Sequence, residues 1–201
     1  MLRRLLSFCY AKYRAFAPLS CLNTPRPDVV WGLRRWRWLT EMRRTGRLID
    51  PTVELRCIGD FRQRISLEKG AVVDKGAIIW LGDDCGQIGA ISLGENVYIG
   101  PHCFLGSCHD LQIGENCLIG SHSYLITVNH RTDQPEQAVS AQGYRGASIK
   151  IGKNVWIGAH VVVLPGVEIG DNAVIGAGAV VTKSVPSGET WLGVPAAPLR
   201  K

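Results

Sequence analysis

Aliphatic residues return at every sixth position along the C-terminal part of the chain: Ile151, Ile157, Val163, Ile169, Ile175 and Val181. Glycine follows at Gly152, Gly158, Gly170 and Gly176, and the fifth residue of each unit is small or β-branched: Val155, Val161, Val167, Ala173, Ala179 and Val185. The same unit recurs upstream, through Leu67, Val73 and Ile79, through Leu93, Ile99 and Leu105, and through Ile113, Ile119 and Leu125. Six is neither the 3.6-residue period of an amphipathic helix nor the alternation of a simple strand. It fits a short strand and a tight turn, with three units making a triangular coil of roughly 18 residues whose stacked copies share one apolar interior.

The fourth position of the unit agrees. It holds Gly70, Gly76, Asn96, Asn116, Asn154, Gly166, Asn172 and Gly178, with His102, His122 and His160 in the same slot. Glycine, asparagine and, less strongly, histidine tolerate positive φ, so one left-handed turn residue per corner accounts for all of them. A helix would carry these glycines and β-branched residues in its interior, each glycine costing about 1 kcal/mol. The pattern therefore predicts an all-β parallel β-helix.

The lattice breaks between about Thr127 and Ser148, in a polar stretch containing Pro135, Gly143 and Gly146. Loops thrown out from a rigid scaffold are where functional side chains collect. This one carries His130, which with His109 is one of two histidines outside the turn slots. Imidazole titrates near neutrality and suits general-base work. The turn-slot histidines offer no zinc site, because the backbone already explains them.

Composition adds little to the fold but divides the chain. Residues 1–47 hold eleven Lys or Arg against Asp28 and Glu41, a charge of +9, and the remainder carries −3. Within that head, Leu2, Leu5, Leu6, Cys9, Tyr13 and Phe16 share one helical face, and Trp31, Trp36 and Trp38 are interleaved with arginines. Such helices fit either a cap over the open end of a β-helix or contact with an anionic membrane surface; capping is the stronger expectation. The local charge and the lack of a recognisable module argue against nucleic acid. The first residues do not read as a signal peptide, since Lys12 and Arg14 cut their apolar run, and no run is long enough to span a bilayer. The expected compartment is the cytoplasm, with association at the inner membrane face open. Seven cysteines without a Cys-x-x-Cys pair read as reduced, small apolar residues. The organisation expected is a basic helical segment over 1–50, the β-helix over 51–186 with its loop at about 127–148, and a tail over 187–201.

The runs IGENCLIGSHSYL and IGKNVWIGAHVVVLPGVEIGDNAVIGAGAVVTK resemble the bacterial hexapeptide-repeat acyltransferases, in particular the branch of galactoside, maltose and nodulation-factor O-acetyltransferases. The resemblance implies a left-handed β-helix, a homotrimer, and acetyl-CoA bound between adjacent protomers as acyl donor, without a metal. It also implies acetyl transfer to a hydroxyl of a sugar or polysaccharide precursor. His130 matches the family's catalytic histidine. Trp156, Gly158 and Ala159 match positions beside the pantetheine and thiol end, Ala177 and Gly178 sit one coil on, and Thr182, Lys183 and Arg200 match positions toward the nucleotide and its phosphates. His109 and Asp110 are candidates for the acceptor pocket. An amino-sugar nucleotide as acceptor, giving N-acetyl transfer, and a non-enzymatic scaffold of glycan assembly are the alternatives.

Overall fold

A computed structural model describes residues 29–57, 60–82 and 88–199. Their strands form three sheets, parallel apart from the antiparallel pairing of the last strand of face A, each containing every third strand in chain order except at the excursion and at the C-terminal end. Face A has eight strands, from Leu48–Ile49 to Ala197–Pro198; face B has six, from Glu54–Cys57 to Val180–Val181; face C has five, from Ile65–Leu67 to Glu168–Ile169. One circuit of the three faces is one coil. Paired strands thus extend on both sides of residues 51–186, which carry the hexads.

The period of six becomes three inward rows. Ile49, Val73, Ile99, Ile119, Ile157, Ile175 and Trp191 are in register on face A. Leu55, Ile79, Leu105, Leu125, Val163 and Val181 follow on face B, and Leu67, Leu93, Ile113, Ile151 and Ile169 on face C. All are buried in one continuous core with the fifth-position residues between them. Each such aliphatic side chain contributes about 1.5–3 kcal/mol on burial. The eleven turn-slot residues all have positive φ, between 54° and 60° at the asparagines and histidines and between 67° and 81° at the glycines.

Corner residues form ladders of their own. Between faces A and B, the rings of His102, His122 and His160 stack at 5.0 and 4.9 Å. Between faces C and A, Asn96 Nδ2 donates to Asn116 Oδ1 at 3.1 Å and Asn154 Nδ2 to Asn172 Oδ1 at 2.8 Å. Cys103 and Cys117 are buried thiols at fifth positions, each donating to a carbonyl of the next coil at 3.1 Å, and burial raises their pKa. Cys108 departs from the expectation of reduced cysteines, since it is disulfide-bonded.

Outward positions differ by face. Face C shows Ser66, Ser92, Gln112, Lys150 and Glu168. Face A instead shows Tyr98, Leu118 and Trp156, and face B shows Phe104, Tyr124 and Val162. Face C is polar, whereas faces A and B are mainly apolar, with Glu54 and Arg56 on the first coil of face B and Thr190 at the end of face A.

The helix Val29–Arg44, here α1, lies over the first coil. It ends at Gly46 (φ 76°), where the Arg47 N–H reaches Met42 O at 2.9 Å and the Gly46 N–H reaches Arg43 O at 3.2 Å. This is the pairing that closes a helix on a left-handed glycine. Trp38 turns inward and meets Phe61 edge to face at 5.1 Å, with Leu39 and Met42 packed on the core. Arg35 Nη2 donates to the carbonyls of Pro51 (2.9 Å) and Val53 (2.7 Å). So α1 caps the end of the prism. The more N-terminal face containing Leu2 and Phe16 lies outside the described residues.

Candidate active site

The chain leaves the lattice at the corner between faces B and C. There Val128–His130 and Tyr144–Gly146 pair as an antiparallel hairpin, the only sheet among the described residues that is not a prism face. The polar segment read from sequence as an irregular loop is thus built on a two-stranded stem. Its register sets His130 opposite Tyr144 and Val128 opposite Gly146. Side chains two residues apart on a strand share a face, so Val128, Tyr144 and His130 point the same way. The His130 ring lies 4.6 Å from that of Tyr144, tilted by 34°. His130 is exposed, whereas Tyr144 is half-buried and packs on a small second core of Cys108, Ile126 and Val128. One aromatic ring therefore links the imidazole to the scaffold.

The foot of the hairpin is fixed by Thr127, which is fully buried. Its hydroxyl accepts from the N–H of Cys108 at 2.9 Å and of His109 at 3.1 Å, and donates to Gly106 O at 3.1 Å. Gly146 leaves room for a neighbour. A Cβ there would lie 2.4 Å from Thr127 O and 2.6 Å from both His109 Cδ2 and Val128 Cγ1. His109 is thus brought to the base of the hairpin face that carries His130. Asp110 is otherwise occupied: its Oδ1 accepts from the Ala90 N–H at 3.0 Å and its carbonyl from the Ile149 N–H at 2.9 Å.

Beyond His130, Arg131 donates to both Asp133 carboxylate oxygens, at 3.1 and 2.7 Å. Hydrogen bonds from Arg131, then backbone hydrogen bonding, hold the Asp133 pKa down to about 2. A depressed acid stabilises above its unfolded pKa near 4 and loses that contribution as pH falls through its folded value. The pair thus stays ionised across the neutral range, with a contribution that solvent keeps small.

The remaining candidates fall into two groups. Trp156 stands outward on face A, 58% exposed. Gly158 and Ala159, and Ala177 and Gly178 one coil on, form the corner between faces A and B. Thr182 and Lys183 are exposed at the corner between faces B and C, the corner from which the His130 hairpin springs two coils earlier. Face B therefore separates Trp156 and its neighbours from His130 within one chain. Gly158 also answers to packing, since a Cβ there would lie 2.6 Å from Ala177 N. Arg200 lies outside the described residues.

Sequence reasoning missed Thr127, Tyr144 and Gly146. A threonine where the hexad gives way, and an aromatic residue two before a glycine in a polar insertion, were the available signals.

Two family profiles match these coils: bacterial transferase hexapeptide repeats over residues 148–183 and the hexapeptide repeat of succinyl-transferase over 111–129. Nodulation protein L of Rhizobium leguminosarum bv. viciae is 37% identical over 142 residues, covering 69% of this chain and 74% of that protein. The chain belongs to the bacterial hexapeptide-repeat acyltransferases. As in that family, the prism is a left-handed parallel β-helix. Among solved hexapeptide-repeat structures, a maltose O-acetyltransferase from Clostridium difficile is 27% identical with a TM-score of 0.51, over 89% of this chain and 79% of that one. A hexapeptide-repeat acetyltransferase from Vibrio cholerae, solved with acetyl-CoA, is 25% identical with a TM-score of 0.52, over 83% and 76%.

Proposed function

We propose that the chain moves an acetyl group from acetyl-CoA to a hydroxyl of a sugar or polysaccharide precursor, with His130 as general base. The observation that carries this is the placement of one exposed imidazole on a clamped hairpin, the one sheet outside the prism faces among the described residues. A nitrogen of His130 takes the hydroxyl proton as that oxygen attacks the thioester carbonyl. The tetrahedral adduct then collapses, the C–S bond breaks, and the same imidazole returns the proton to the departing thiolate. Trp156, Gly158, Ala159, Ala177 and Gly178 would border the pantetheine arm. Thr182, Lys183 and Arg200 would meet the nucleotide end, where cationic donors match phosphate charge. His109 and Asp110 lie on the acceptor side. Cytoplasmic acetyl-CoA supplies the donor.

A homotrimer completes the site in this reading. Two faces of the prism are mainly apolar and outward, and the residues assigned to the pantetheine arm lie across face B from the base. A second copy set against these faces supplies both the missing cover and the missing half.

The direct test is thiol release from acetyl-CoA against a panel of sugars, with the product mass and its lability to alkali read in parallel. An alkali-stable acetyl product formed only on amino sugars would replace the hydroxyl acceptor with an amine. Absence of acetyl-CoA binding by calorimetry would leave only a scaffold. Trp156→Ala should raise the KM for acetyl-CoA about tenfold, the effect of losing one aromatic contact worth about 1.4 kcal/mol, with kcat nearly unchanged.

Tyr144 positions the base. Tyr144→Ala should lower kcat by about 10–100-fold, the scale of misplacing a reacting group by an ångström, while the KM for acetyl-CoA holds. Tyr144→Phe keeps the ring and should restore most of the rate. Equal loss in both variants would assign the effect to the phenol hydroxyl instead of the packing.

A further inference from the structure

The outward side of α1 shows a combination the cap does not use. At 100° per residue, Trp38, Leu39 and Met42 fall on the side that packs on the prism together with Arg35, while Leu33, Trp36, Arg37, Thr40 and Arg44 fall on the opposite side. Those five are exposed, Leu33 at 57% and Trp36 at 65%. Arg43 is exposed beside them, and Glu41 is the one acidic residue of the helix. Capping therefore explains one face of α1 and leaves unexplained a face with a large indole, a leucine and three arginines.

We propose that this face seats the protein on an anionic phospholipid surface. An indole at a membrane interface keeps its apolar body in the acyl boundary and its N–H in water. Arginines around it meet lipid phosphates, with each basic residue near an anionic surface worth about 1 kcal/mol. Trp36 and Leu33 supply the apolar contact and the neighbouring arginines the charge, the two kinds of group an interfacial helix combines. The chain leading into α1 continues the charge: residues 1–28 hold Arg3, Arg4, Lys12, Arg14 and Arg26 against Asp28 alone. No described helix is long and apolar enough to cross a membrane, so the contact is peripheral. A stable peripheral anchor needs more than one weak signal. In the trimer proposed above, three caps lie at one end of three parallel prisms and address the same plane. That multiplication rests on the trimer; the lipid-binding face of a single chain does not.

Co-sedimentation of the full chain with vesicles tests it, using pure phosphatidylcholine against phosphatidylcholine with about one third phosphatidylglycerol. The expected result is binding to the anionic vesicles alone, weakened by salt, with a blue shift in tryptophan emission that Trp36→Ser abolishes. Arg37→Ala with Arg44→Ala should lower partitioning about 30-fold, roughly 5-fold per arginine at about 1 kcal/mol each. All these positions are exposed, so thermal melting and acetyl transfer to a soluble acceptor should not change. Equal binding to neutral vesicles, or unaltered partitioning in the double arginine variant, would overturn the proposal. So would a Leu33→Ser/Trp36→Ser variant that alters the association state but not vesicle binding, because the face would then join copies of the chain. Sedimentation velocity on the same samples reads the trimer separately.

Discussion

Replacing His130 by alanine should lower turnover by about 10²–10⁴-fold, the usual contribution of a positioned general base. The loss should fall on kcat. The side chain is exposed beyond the second core, so its removal opens no cavity, and the melting temperature and association state should match the parent. The KM for acetyl-CoA should also hold, because the residues assigned to the donor lie elsewhere on the prism. His130→Asn, which keeps a hydrogen-bonding group but no base, should be as slow as alanine. A variant with near-parental turnover, measured by thiol release, would remove His130 from the chemistry and leave the hairpin as an acceptor-binding element.

Much of the fold was legible because each coil repeats one local rule. Ile151 and Ile157 face inward for the same reason as Leu105 and Leu125. Asn116 and His122 sit at corners because positive φ is cheapest there for such side chains. What was not legible depends on packing between parts distant in sequence. Trp36 and Trp38 are two residues apart in one basic stretch, yet one meets solvent and the other Phe61; only the seat of α1 on the first coil distinguishes them. The stem strands Val128–His130 and Tyr144–Gly146 are three residues each, too short for alternation to show. His130 stood out as a histidine off the lattice. Tyr144 and Thr127 did not, since their roles come from cross-strand register and from burial at a corner. The separation of Trp156 from His130 is likewise invisible in one dimension, because it arises from which prism edge each occupies.

Thr127→Val should be the most destabilising conservative change in the site. The two side chains are nearly isosteric, so no cavity forms, and the difference is one hydroxyl that takes the N–H groups of Cys108 and His109 and gives its proton to Gly106 O. Valine takes this acceptor from the buried Cys108 N–H and the half-buried His109 N–H, at about 1–3 kcal/mol each, while Gly106 O keeps the backbone N–H of residue 127 at 3.2 Å. The sum is about 2–6 kcal/mol, or roughly 4–24 °C in melting temperature for a chain of this size. Activity should fall as well. The backbone carbonyl of Thr127 also accepts the Ala147 N–H at 3.0 Å, so this residue ties both strands of the hairpin to the prism. A loosened foot carries its disorder along the stem to His130 and Tyr144. Thr127→Ser keeps the hydroxyl, loses one buried methyl at about 1 kcal/mol, and should recover most of the rate and of the melting temperature. Circular dichroism melts and thiol release, run on both variants, check the two halves of the claim together. If valine melted with the parent while turnover fell, the amides of Cys108 and His109 would have found other partners and the hydroxyl would act on the hairpin alone. If turnover held while the protein melted early, the corner would serve the fold and the base would be placed by Tyr144 without it.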